Sequence, residues 1–372
     1  MKKYSATFVF LAFLLIVALL MAVLPAKEYS ENEKRVLGQF PAFSLESVTD
    51  GSFGSQLETY LADQFPLRDL FVGIHAYGQL LLGQNGASGV YAAEDGFLIA
   101  APKEIDPQRV ERNVRQLEAF RDSTGLPGAI MVVPSAGYML EDKLPNVHES
   151  YQDDAIMEIV QKTAGEMQVI DLRQVLSEDP EDAYYRTDHH LTSSGSYRMY
   201  RAFCEKLGLA PEIFARKEIY GGFYGTAYST SGLWATEPDT VEIWEPESPG
   251  QYQVTIVEGT QSETFDSLYF TEHLENMDKY PVFLDGNHSL VSVENKACQN
   301  GRRLMILKDS YAHCFATFAI ENYEQILLLD MRYFRGSAQE VAQQYGITEL
   351  LFLYGSENLA TSTDFGWLLP LA

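Results

Sequence analysis

Residues 302–323, RRLMILKDSYAHCFATFAIENY, contain a short apolar run, a polar turn and then a segment with helical spacing. The run 304–307 is typical of a buried strand in a parallel sheet. Lys308 and Asp309 form the predicted turn, and Ser310 follows at the start of the helix. Backbone N–H groups at a helix start have no partner within the helix, so they can stabilise an oxyanion beside an exposed hydroxyl. We therefore predict Ser310 as a candidate nucleophile.

The same alternation of apolar runs and helical segments extends over most of the chain. Further strands are predicted at 128–134, 168–171, 325–330 and 348–354. Helices are predicted at 106–125, near 153–164, after Tyr311 and at 337–346. The last of these begins with a capping box formed by Ser337 and Glu340. Alternating strands and helices predict an α/β fold in which a parallel or mixed sheet lies between two layers of helices.

Three regions are predicted along the chain. Residues 1–26 form a membrane anchor or signal segment, residues 27–88 a membrane-proximal helical region, and residues 89–372 the α/β domain. Between about 210 and 300 the alternation is lost, and segments rich in Gly, Tyr, Ser and Thr adjoin predicted β-strands. We interpret this part as a β-rich insertion on the sheet.

The first residues predict how the chain is placed in the cell. The run 7–24, TFVFLAFLLIVALLMAVL, has no charged residue and is about 18 residues long, enough to cross a bilayer core. Lys2 and Lys3 favour a cytoplasmic amino terminus, with the rest of the chain outside. A cleaved signal peptide is the alternative, but the PAK sequence at 25–27 is a poor cleavage site. We expect an uncleaved single-pass anchor in the cell membrane, or a secreted protein if the segment is removed.

Composition and charge exclude some partners. The formal net charge is −25 at pH 7, and a surface that acidic repels nucleic acid and anionic lipid headgroups. Nucleic acid is therefore not an expected partner. Cys204, Cys298 and Cys314 have no spacing suited to zinc or to a disulfide framework. We expect no cofactor.

A second polar segment, RTDHHLT at 186–192, precedes a predicted helix. In an extended segment residues two apart share a side, so Asp188 and His190 are expected to point together and His189 away. A carboxylate beside an imidazole can hold one ring nitrogen protonated and leave the other as a base. Asp188, His190 and Ser310 therefore form a candidate catalytic triad. The alternative is a polar cluster that only caps the helix.

Two other kinds of site compete with this interpretation. An aspartate beside two histidines also suggests a metal site of the manganese phosphoesterase kind, which needs several further Asp or His ligands. The remaining histidines, at 75, 148, 273, 288 and 313, have no acidic motif of that kind beside them, so we expect no metal. Ser135, in VVPSAGY, also follows a predicted strand and is the rival nucleophile. Asn287, in a Gly-containing turn after a predicted strand, can donate to an oxyanion.

The segments TDHHLTSSGSYRMY at 187–200 and LKDSYAHCF at 307–315 resemble the two signatures of the DHHW family. That family is related to the SGNH-type alginate O-acetyltransferase proteins of the bacterial periplasm. Shorter segments extend the resemblance over nearly all of the chain after the anchor: ENEKR at 31–35, DQFPLRD at 63–69, FYGTAYS at 223–229 and DGNHSLV at 285–291. The resemblance implies a flavodoxin-like SGNH-hydrolase fold in which Asp-x-His precedes Ser in the chain.

Carried over by motif, the resemblance implies that Asp188 orients His190, that His190 acts as base and that Ser310 takes the acyl group. The expected oxyanion or substrate-binding residues are Asn287, His189 and Tyr311. The implied activity is an extracytoplasmic O-acetyltransferase or acetylesterase for a cell-surface or exported polysaccharide. The implied partner is a membrane-bound O-acyltransferase that supplies acetyl groups. The alternative is a non-catalytic polysaccharide-binding or assembly protein with a vestigial triad.

One residue departs from the family pattern. Leu191 stands where the family has the tryptophan of its name. A tryptophan at this place serves either packing or substrate contact. The leucine therefore puts the expected substrate contacts in question, and leaves the triad unaffected.

Overall fold

The computed structural model describes residues 4–368. Contacts between these residues divide the chain into two units. One unit comprises the chain up to Gly89 together with Tyr228–Thr236. The other comprises Val90–Ala227 and the chain from Glu237 onward. The predicted insertion therefore contributes one short segment to the first unit.

The first unit is mainly helical. Its elements are α1 (Ser5–Val23), β1 (Tyr29–Ser30), β2 (Arg35–Val36), α2 (Leu45–Thr49), α3 (Ser52–Asp63), α4 (Arg68–Leu81) and β3 (Gly86–Ala87). By length and composition α1 is apolar enough to cross a membrane, and a signal sequence meets the same criteria. Lys2 and Lys3, on which the predicted orientation depends, lie outside the described residues.

Two of the charged motifs meet in this unit. β1 and β2 pair antiparallel, ENEKR forms the turn between them and the first residue of β2, and DQFPLRD connects α3 to α4. The Arg35 guanidinium donates to both carboxylate oxygens of the buried Asp63, over 2.9 and 2.5 Å. Arg68 pairs with Glu33. The hydrogen bond from Arg35 is the main reason why the pKa of Asp63 lies below its ordinary value. These ion pairs tie the β1–β2 hairpin to the connection between the two helices.

The second unit contains the predicted α/β pattern. Its strands are β4 (Val90–Ala92), β5 (Leu98–Ala100), β6 (Gly128–Val133), β7 (Gln168–Asp171), β8 (Phe214–Phe223), β9 (Asp239–Pro246), β10 (Tyr252–Glu258), β11 (Gln261–Phe265), β12 (Leu290–Asn295), β13 (Arg303–Lys308), β14 (Gln325–Leu329) and β15 (Glu349–Gly355). Its α-helices are α5 (Pro107–Thr124), α6 (Ala136–Met139), α7 (Asp153–Thr163), α8 (Arg173–Leu176), α9 (Pro180–Ala183), α10 (Ser193–Leu207), α12 (Ala312–Ala319), α13 (Ala338–Gln344) and α14 (Ser356–Thr361), and α11 (Thr226–Ser231) begins in it.

Eight of these strands form one mixed sheet in the order β11-β10-β12-β14-β13-β15-β6-β7. The five strands from β14 to β7 are parallel, and the other three are antiparallel. We give the parallel strands β13, β14, β15, β6 and β7 the numbers 1 to 5. Their spatial order in the sheet, β14-β13-β15-β6-β7, is then 2-1-3-4-5. β13 therefore lies inside the sheet, and Ser310 lies just beyond its carboxyl end.

The predicted insertion is only partly separate from this sheet. β8 and β9 pair with each other as an antiparallel ribbon. In contrast, β10, β11 and β12 extend the sheet beyond β14. The interpretation of one insertion lying on the sheet is therefore wrong for 252–295. Pairing with β14 satisfies backbone groups of β12 that would otherwise lack partners.

Both faces of the sheet are covered. In β13, Leu304 and Ile306 belong to one core and Met305 and Leu307 to the other, because successive strand side chains point to opposite faces. Helices α10 and α12 contribute to the first core, and α5, α7, α13 and α14 contribute to the second. The predicted α/β architecture, with a large mixed sheet between two helical layers, is confirmed.

Candidate active site

Ser310 lies at the predicted strand-to-helix turn, between the end of β13 and the start of α12. The Asp309 carboxylate fixes this turn by accepting hydrogen bonds from the backbone N–H groups of Tyr311, over 3.1 Å, and Gly355, over 2.8 Å. Within the described part of the chain, the backbone N–H of Ser310 makes no hydrogen bond. That N–H is therefore a candidate donor to an oxyanion formed at the Ser310 hydroxyl.

One short hydrogen bond joins Ser310 to the RTDHHLT loop, and a second lies within the loop. The Ser310 hydroxyl oxygen lies 2.7 Å from His190 Nε2, and His190 Nδ1 lies 2.5 Å from a carboxylate oxygen of Asp188. An ionised carboxylate only accepts hydrogen bonds, so Nδ1 carries the proton and Nε2 accepts the Ser310 hydroxyl. All three residues are more than nine-tenths buried. The structure thus brings the three predicted triad residues into one hydrogen-bonded chain.

The RTDHHLT loop is held by Asp239, a residue that the sequence did not single out. Its carboxylate accepts hydrogen bonds from the backbone N–H groups of Arg186, over 3.0 Å, and Thr187, over 2.7 Å. The Thr187 hydroxyl donates to the same carboxylate over 2.5 Å. Asp239 is itself buried at the start of β9. One buried carboxylate therefore fixes the two residues that lead into the predicted triad.

The loop is a series of bends and not an extended strand. The prediction that His189 points away from its neighbour is therefore wrong, since side-chain alternation holds only for extended backbone. The His189 ring packs against the His190 ring, with centroids 4.0 Å apart and planes inclined by 35°. The side chain of His189 is 41% exposed. It therefore forms the outer wall of the His190 site.

The FYGTAYS segment supplies another contact of Asp188. The backbone N–H of Thr226 donates to the second Asp188 carboxylate oxygen over 2.6 Å. The backbone N–H of Gly225 donates to the Thr187 hydroxyl over 3.0 Å. Asp188 leaves no space for a side chain at Gly225. The sequence could not assign this supporting role, because Gly and Thr in a loop are equally typical of an ordinary turn.

His190 has a further neighbour that the sequence did not reveal. The ring of Tyr280 stacks on the imidazole, with centroids 3.8 Å apart and planes inclined by 11°. The Tyr280 hydroxyl donates to the backbone carbonyl of Ser310 over 3.2 Å. The chain has 22 tyrosines, and nothing in the sequence around Tyr280 distinguishes it from the others.

Tyr311, an expected oxyanion or substrate-binding residue, is buried next to the predicted triad. Its hydroxyl donates to the backbone carbonyl of His189 over 2.8 Å, and its backbone N–H donates to Asp309. Its hydroxyl and its backbone N–H therefore both donate to other groups of the protein. The structure gives Tyr311 the role of joining the serine turn to the RTDHHLT loop, in place of the expected contact with an oxyanion.

Asn287 lies elsewhere than expected. Its side chain is exposed, and its amide oxygen accepts a hydrogen bond from Arg332 over 3.1 Å. Among the described residues no contact joins it to Ser310 or His190. The turn before it follows a short 3₁₀ helix (Tyr280–Val282) and not a strand, and its residues Leu284, Asp285 and Gly286 all have positive φ. The expected oxyanion contact is therefore not formed in this structure, because the turn directs Asn287 towards Arg332.

Leu191 occupies a core position. It is 1% exposed and forms a backbone bridge with Tyr184. Of the two functions open for a side chain at this place, the burial supports packing. The difference from the family tryptophan therefore concerns the core and not a surface that contacts substrate.

The rival nucleophile, Ser135, contacts a carboxylate and no imidazole within residues 4–368. Its hydroxyl and its backbone N–H each donate to the buried Asp153 over 2.8 Å. Ser356 donates to the same carboxylate over 2.5 Å. These bonds fix the turn after β6 and provide no base of the kind that activates a serine hydroxyl.

A buried charge cluster precedes the serine turn. Lys308 is 1% exposed, and its ammonium donates to His313 Nε2 over 2.7 Å and lies 3.2 Å from Asp330. Burial lowers the pKa of Lys308, although the Asp330 charge opposes that effect. Burial and the charge of Lys308 hold the pKa of His313 well below its ordinary value. Arg332 also pairs with Asp330, over 2.6 Å. The carboxyl end of β13 is thus anchored to that of β14.

Asp285 lies between two imidazoles at a second site. His273 Nε2 is 2.5 Å from one of its carboxylate oxygens, and His288 Nε2 is 3.0 Å from the other. His288 Nδ1 lies 3.0 Å from Glu258. Asp285 is only three residues from His288 in the sequence, whereas His273 and Glu258 reach this cluster from 12 residues before Asp285 and 30 residues before His288.

Among the residues that the structure describes, two groups of side chains are close enough to hold a metal ion. They are Asp188 with His189 and His190, and Glu272 with His273 and Asp285. In the first group both ring nitrogens of His190 already contact protein oxygens. A metal there would replace the hydrogen bonds that join the predicted triad.

Solved structures share this fold. A DHHW family protein from Eubacterium siraeum DSM 15702 is 24% identical, with a TM-score of 0.64, and the match covers 75% of this chain and 95% of that chain. Bacillus cereus PatB1 with a sulfonyl adduct is 18% identical, with a TM-score of 0.63, over 75% of this chain and 99% of that one. The O-acetyltransferase domain of Pseudomonas putida AlgJ is 12% identical, with a TM-score of 0.50, over 76% of this chain and 96% of that one. At these identities the similarity shows the fold alone. No curated protein sequence matches the chain.

The sequence also matches a family model, that of the DHHW protein, over residues 128–329. This range is more than half of the chain and includes Asp188, His190 and Ser310. The chain belongs to the DHHW family.

Proposed function

We propose that this chain is a serine-dependent O-acetyltransferase or acetylesterase that acts outside the cytoplasm on a cell-surface or exported polysaccharide. The observation that carries the proposal is the hydrogen-bonded chain from the Ser310 hydroxyl through His190 to Asp188, with separations of 2.7 and 2.5 Å. A nucleophile, a base and a group that orients the base are the parts that acyl transfer by serine requires.

In the first half of the reaction, the Ser310 oxygen attacks the carbonyl carbon of an acetyl ester while its proton passes to His190 Nε2. Asp188 holds the Nδ1 proton and stabilises the imidazolium. The backbone N–H of Ser310 donates to the oxyanion of the tetrahedral intermediate. When the intermediate collapses, the bond to the donor alcohol breaks, and that alcohol leaves with the proton from His190. Ser310 then carries the acetyl group.

In the second half, His190 removes the proton from an acceptor hydroxyl, which attacks the acetyl carbon. A sugar hydroxyl as acceptor gives the acetylated polysaccharide, and water as acceptor gives acetate. The bond to Ser310 breaks, and the serine oxygen regains its proton from His190. The same groups therefore serve a transferase and an esterase, and the acceptor decides between them.

The topology supports an SGNH-hydrolase type of fold. The spatial order 2-1-3-4-5 of the parallel strands, counted from β13, is the flavodoxin-like order. Ser310 follows the first strand of that order, and the RTDHHLT loop comes after the fifth. We propose that the chain is a permuted version of that fold, in which Asp-x-His comes before Ser. The AlgJ domain of similar fold is an O-acetyltransferase domain, which agrees with the proposed chemistry.

The segment at 1–26 would hold the rest of the chain at the outer face of the membrane, with 27–88 as a membrane-proximal region before the catalytic domain at 89–372. The support is the exposed apolar helix α1. A membrane-bound O-acyltransferase is the proposed partner, since a transferase outside the cytoplasm needs a supply of acetyl groups. The alternative function is polysaccharide binding or assembly with an unused triad, and the retained hydrogen bonds of Ser310 favour catalysis over it.

A serine-directed probe tests the proposal. The full chain, kept in detergent, is treated with a fluorophosphonate and with a sulfonyl fluoride, the electrophile class suggested by the sulfonyl adduct of PatB1. We expect one labelled site, at Ser310, together with turnover of an activated acetyl ester. Ser310→Ala should abolish both without a change in thermal unfolding. Ser135→Ala is the matched control, since that serine also follows a strand and pairs with a carboxylate, and it should keep both.

Two further measurements separate the remaining functions. If an added oligosaccharide gains acetyl groups while acetate release falls, the chain is a transferase. If the full chain binds polysaccharide but is neither labelled at Ser310 nor able to cleave the ester, the enzyme proposal is wrong and the binding function is left.

A further inference from the structure

The imidazole of His190 is enclosed on both faces. Tyr280 stacks on one face, with ring centroids 3.8 Å apart and planes inclined by 11°. His189 packs with its centroid 4.0 Å from that of His190 and its plane inclined by 35°. Two rings cannot both lie within about 4 Å of the same face of a third ring, since stacked rings are already in van der Waals contact at that distance. Tyr280 and His189 therefore lie on opposite faces.

The two outer rings differ in how firmly they are held. His189 is 41% exposed, whereas Tyr280 is 6% exposed. The Tyr280 ring also meets Tyr185 and Phe283 edge to face, with centroids 6.4 and 5.5 Å apart. Its hydroxyl donates to the backbone carbonyl of Ser310 over 3.2 Å. Tyr280 thus touches both the base and the turn that carries the proposed nucleophile.

The segment that carries Tyr280 is fastened before and after it. Ahead of Tyr280, the buried ammonium of Lys279 donates to the backbone carbonyls of Leu274 and Asn276, over 2.5 and 2.7 Å. After it, the backbone N–H of Leu284 donates to the carbonyl of Leu268 over 3.1 Å. Because the backbone is fixed on both sides, the ring of Tyr280 has little freedom to leave the imidazole.

We propose that Tyr280 is a positioning residue of the reaction, which holds the His190 ring in the plane where Nε2 meets Ser310 and stabilises the imidazolium that forms during acyl transfer. This inference rests on the proposed function, since it assigns a task only if His190 accepts the proton of Ser310.

Two physical effects carry the proposed role. Asp188 and Ser310 hold the two ring nitrogens through one hydrogen bond each, but hydrogen bonds bend easily, so the ring can still turn by small angles about its bond to Cβ. A flat contact on one face removes that freedom to turn. In addition, the face of an aromatic ring attracts a cation, so the stacked phenol favours the imidazolium over the neutral imidazole. Burial raises the pKa of Tyr280 well above its ordinary value, so the phenol stays neutral throughout.

Two substitutions separate ring stacking from the hydroxyl. Tyr280→Phe keeps the stacked face and loses the hydrogen bond to Ser310, and Tyr280→Leu loses both. We expect Tyr280→Leu to lower kcat about 10- to 100-fold with little change in KM. We also expect the acid limb of its kcat/KM profile to move to lower pH by about half a unit to one unit, because the imidazolium loses its stabilising neighbour. Tyr280→Phe should restore the wild-type pH profile and most of kcat.

The control is Tyr269→Leu in the same part of the chain. Tyr269 also meets Phe283 and also donates to a backbone carbonyl, that of Trp244 over 2.6 Å. Within the described residues its ring does not contact His190. This variant should match the thermal destabilisation of Tyr280→Leu and keep the wild-type pH profile. A merely structural role for Tyr280 predicts equal effects of the two variants on kcat and no shift of the acid limb, and that result would overturn the proposal.

NMR on the histidine-labelled full chain gives a readout that does not depend on activity. The chain has only seven histidines, and the His190 signal is assigned by its absence in His190→Gln. We expect the midpoint of the His190 ring titration to move to lower pH in Tyr280→Leu and not in Tyr280→Phe. If the His190 midpoint moves in Tyr280→Leu but wild-type Ser310 is not labelled, the proposed function is wrong and only the stacking effect of Tyr280 is supported. If wild-type Ser310 is labelled and the wild-type chain is active, but the His190 midpoint does not move in Tyr280→Leu, only the proposed role of Tyr280 is wrong.

Discussion

A β-carbon added at Gly225 would lie 2.1 Å from the β-carbon of Asp188, because the backbone at residue 225 passes directly against that aspartate. No atom pair of that kind tolerates such a distance, so Gly225→Ala must displace Asp188 or its loop. We expect the rate of acetyl ester turnover to fall at least 100-fold and Ser310 to lose its reactivity with fluorophosphonate. Gly221→Ala is the matched control, since nothing lies within 4 Å of a β-carbon at that glycine. Equal rates for the two variants would contradict the tight fit.

Asp188→Asn tests the tautomer of His190. An asparagine amide can donate to Nδ1, which favours the tautomer with the proton on Nε2 and leaves no base for Ser310. We expect kcat for an acetyl ester to fall by roughly 10³- to 10⁴-fold, with KM nearly unchanged. Asp182→Asn, at an exposed carboxylate before the loop, should keep its activity. A fully active Asp188→Asn variant would show that another base serves Ser310.

Asp330→Asn tests the buried charges behind the serine turn. The substitution leaves the Lys308 ammonium without its carboxylate in a site that is 1% exposed. Breaking a buried ion pair costs about 3–5 kcal/mol of unfolding free energy, which urea denaturation measures. Glu158→Gln removes the exposed Glu158–Lys162 pair and should leave the unfolding free energy nearly unchanged. Similar losses for the two variants would mean that Lys308 is already neutral in the folded chain.

The contact of His288 with Asp285 predicts a stability contribution that depends on pH. The hydrogen bond with Asp285 is the main cause that raises the pKa of His288 above its ordinary value, and Glu258 adds to it. The folded chain therefore binds this proton more tightly than the unfolded chain. The contribution is complete below the unfolded pKa of about 6.5 and is lost as the pH rises through the higher folded pKa.

We therefore expect the unfolding free energy of wild type to exceed that of His288→Asn most at pH 5.5–6, by roughly 1 kcal/mol, and less at pH 8. Chemical denaturation at several pH values measures this difference. His148→Asn is the matched control, since the His148 ring hydrogen-bonds to a backbone carbonyl and its loss leaves the contacts of His288 intact. A His288→Asn difference that grows from pH 6 to pH 8 would give the opposite sign and contradict the assignment.

Leu191→Trp tests whether this position accepts the family residue. Leu191 is 1% exposed. Replacing it by the larger indole side chain overpacks the core, which lowers the unfolding free energy by about 1–3 kcal/mol. We expect a lower thermal midpoint and an unchanged KM for an acetyl ester, because the side chain faces the core. Leu191→Met, of similar volume, is the control and should cost less than about 1.5 kcal/mol. A tighter KM in Leu191→Trp would instead point to a substrate contact.

The sequence predicts the serine turn well because its signals are local. An apolar run, a polar pair and a helical period specify the ends of β13 and α12 without knowledge of the rest of the chain. The same is true of α10, whose N-cap Thr192 accepts from the backbone N–H of Gly195 as its residue type suggests. Asp188 and His190 form the predicted pair, but the extended backbone from which that pairing is predicted is replaced by a series of bends.

The supporting residues could not be predicted, because their contacts join distant parts of the chain. Asp239 reaches the RTDHHLT loop from β9, and Tyr280 reaches His190 from the segment before β12. Aspartate and tyrosine at such positions are more often surface or packing residues. The wrong expectation for Asn287 has a related cause, since three successive positive φ angles direct the turn away from the serine, and no periodicity reveals them.

The strand order of the sheet has a consequence for the order in which the protein is made. β6 and β7 are synthesised early, yet β6 joins the sheet only through β15, the last strand of the chain. Until then they form a two-stranded ribbon, which is marginally stable in water. The base, His190, is likewise made 120 residues before its nucleophile, Ser310, and the complete site forms only when nearly the whole chain is present to fold.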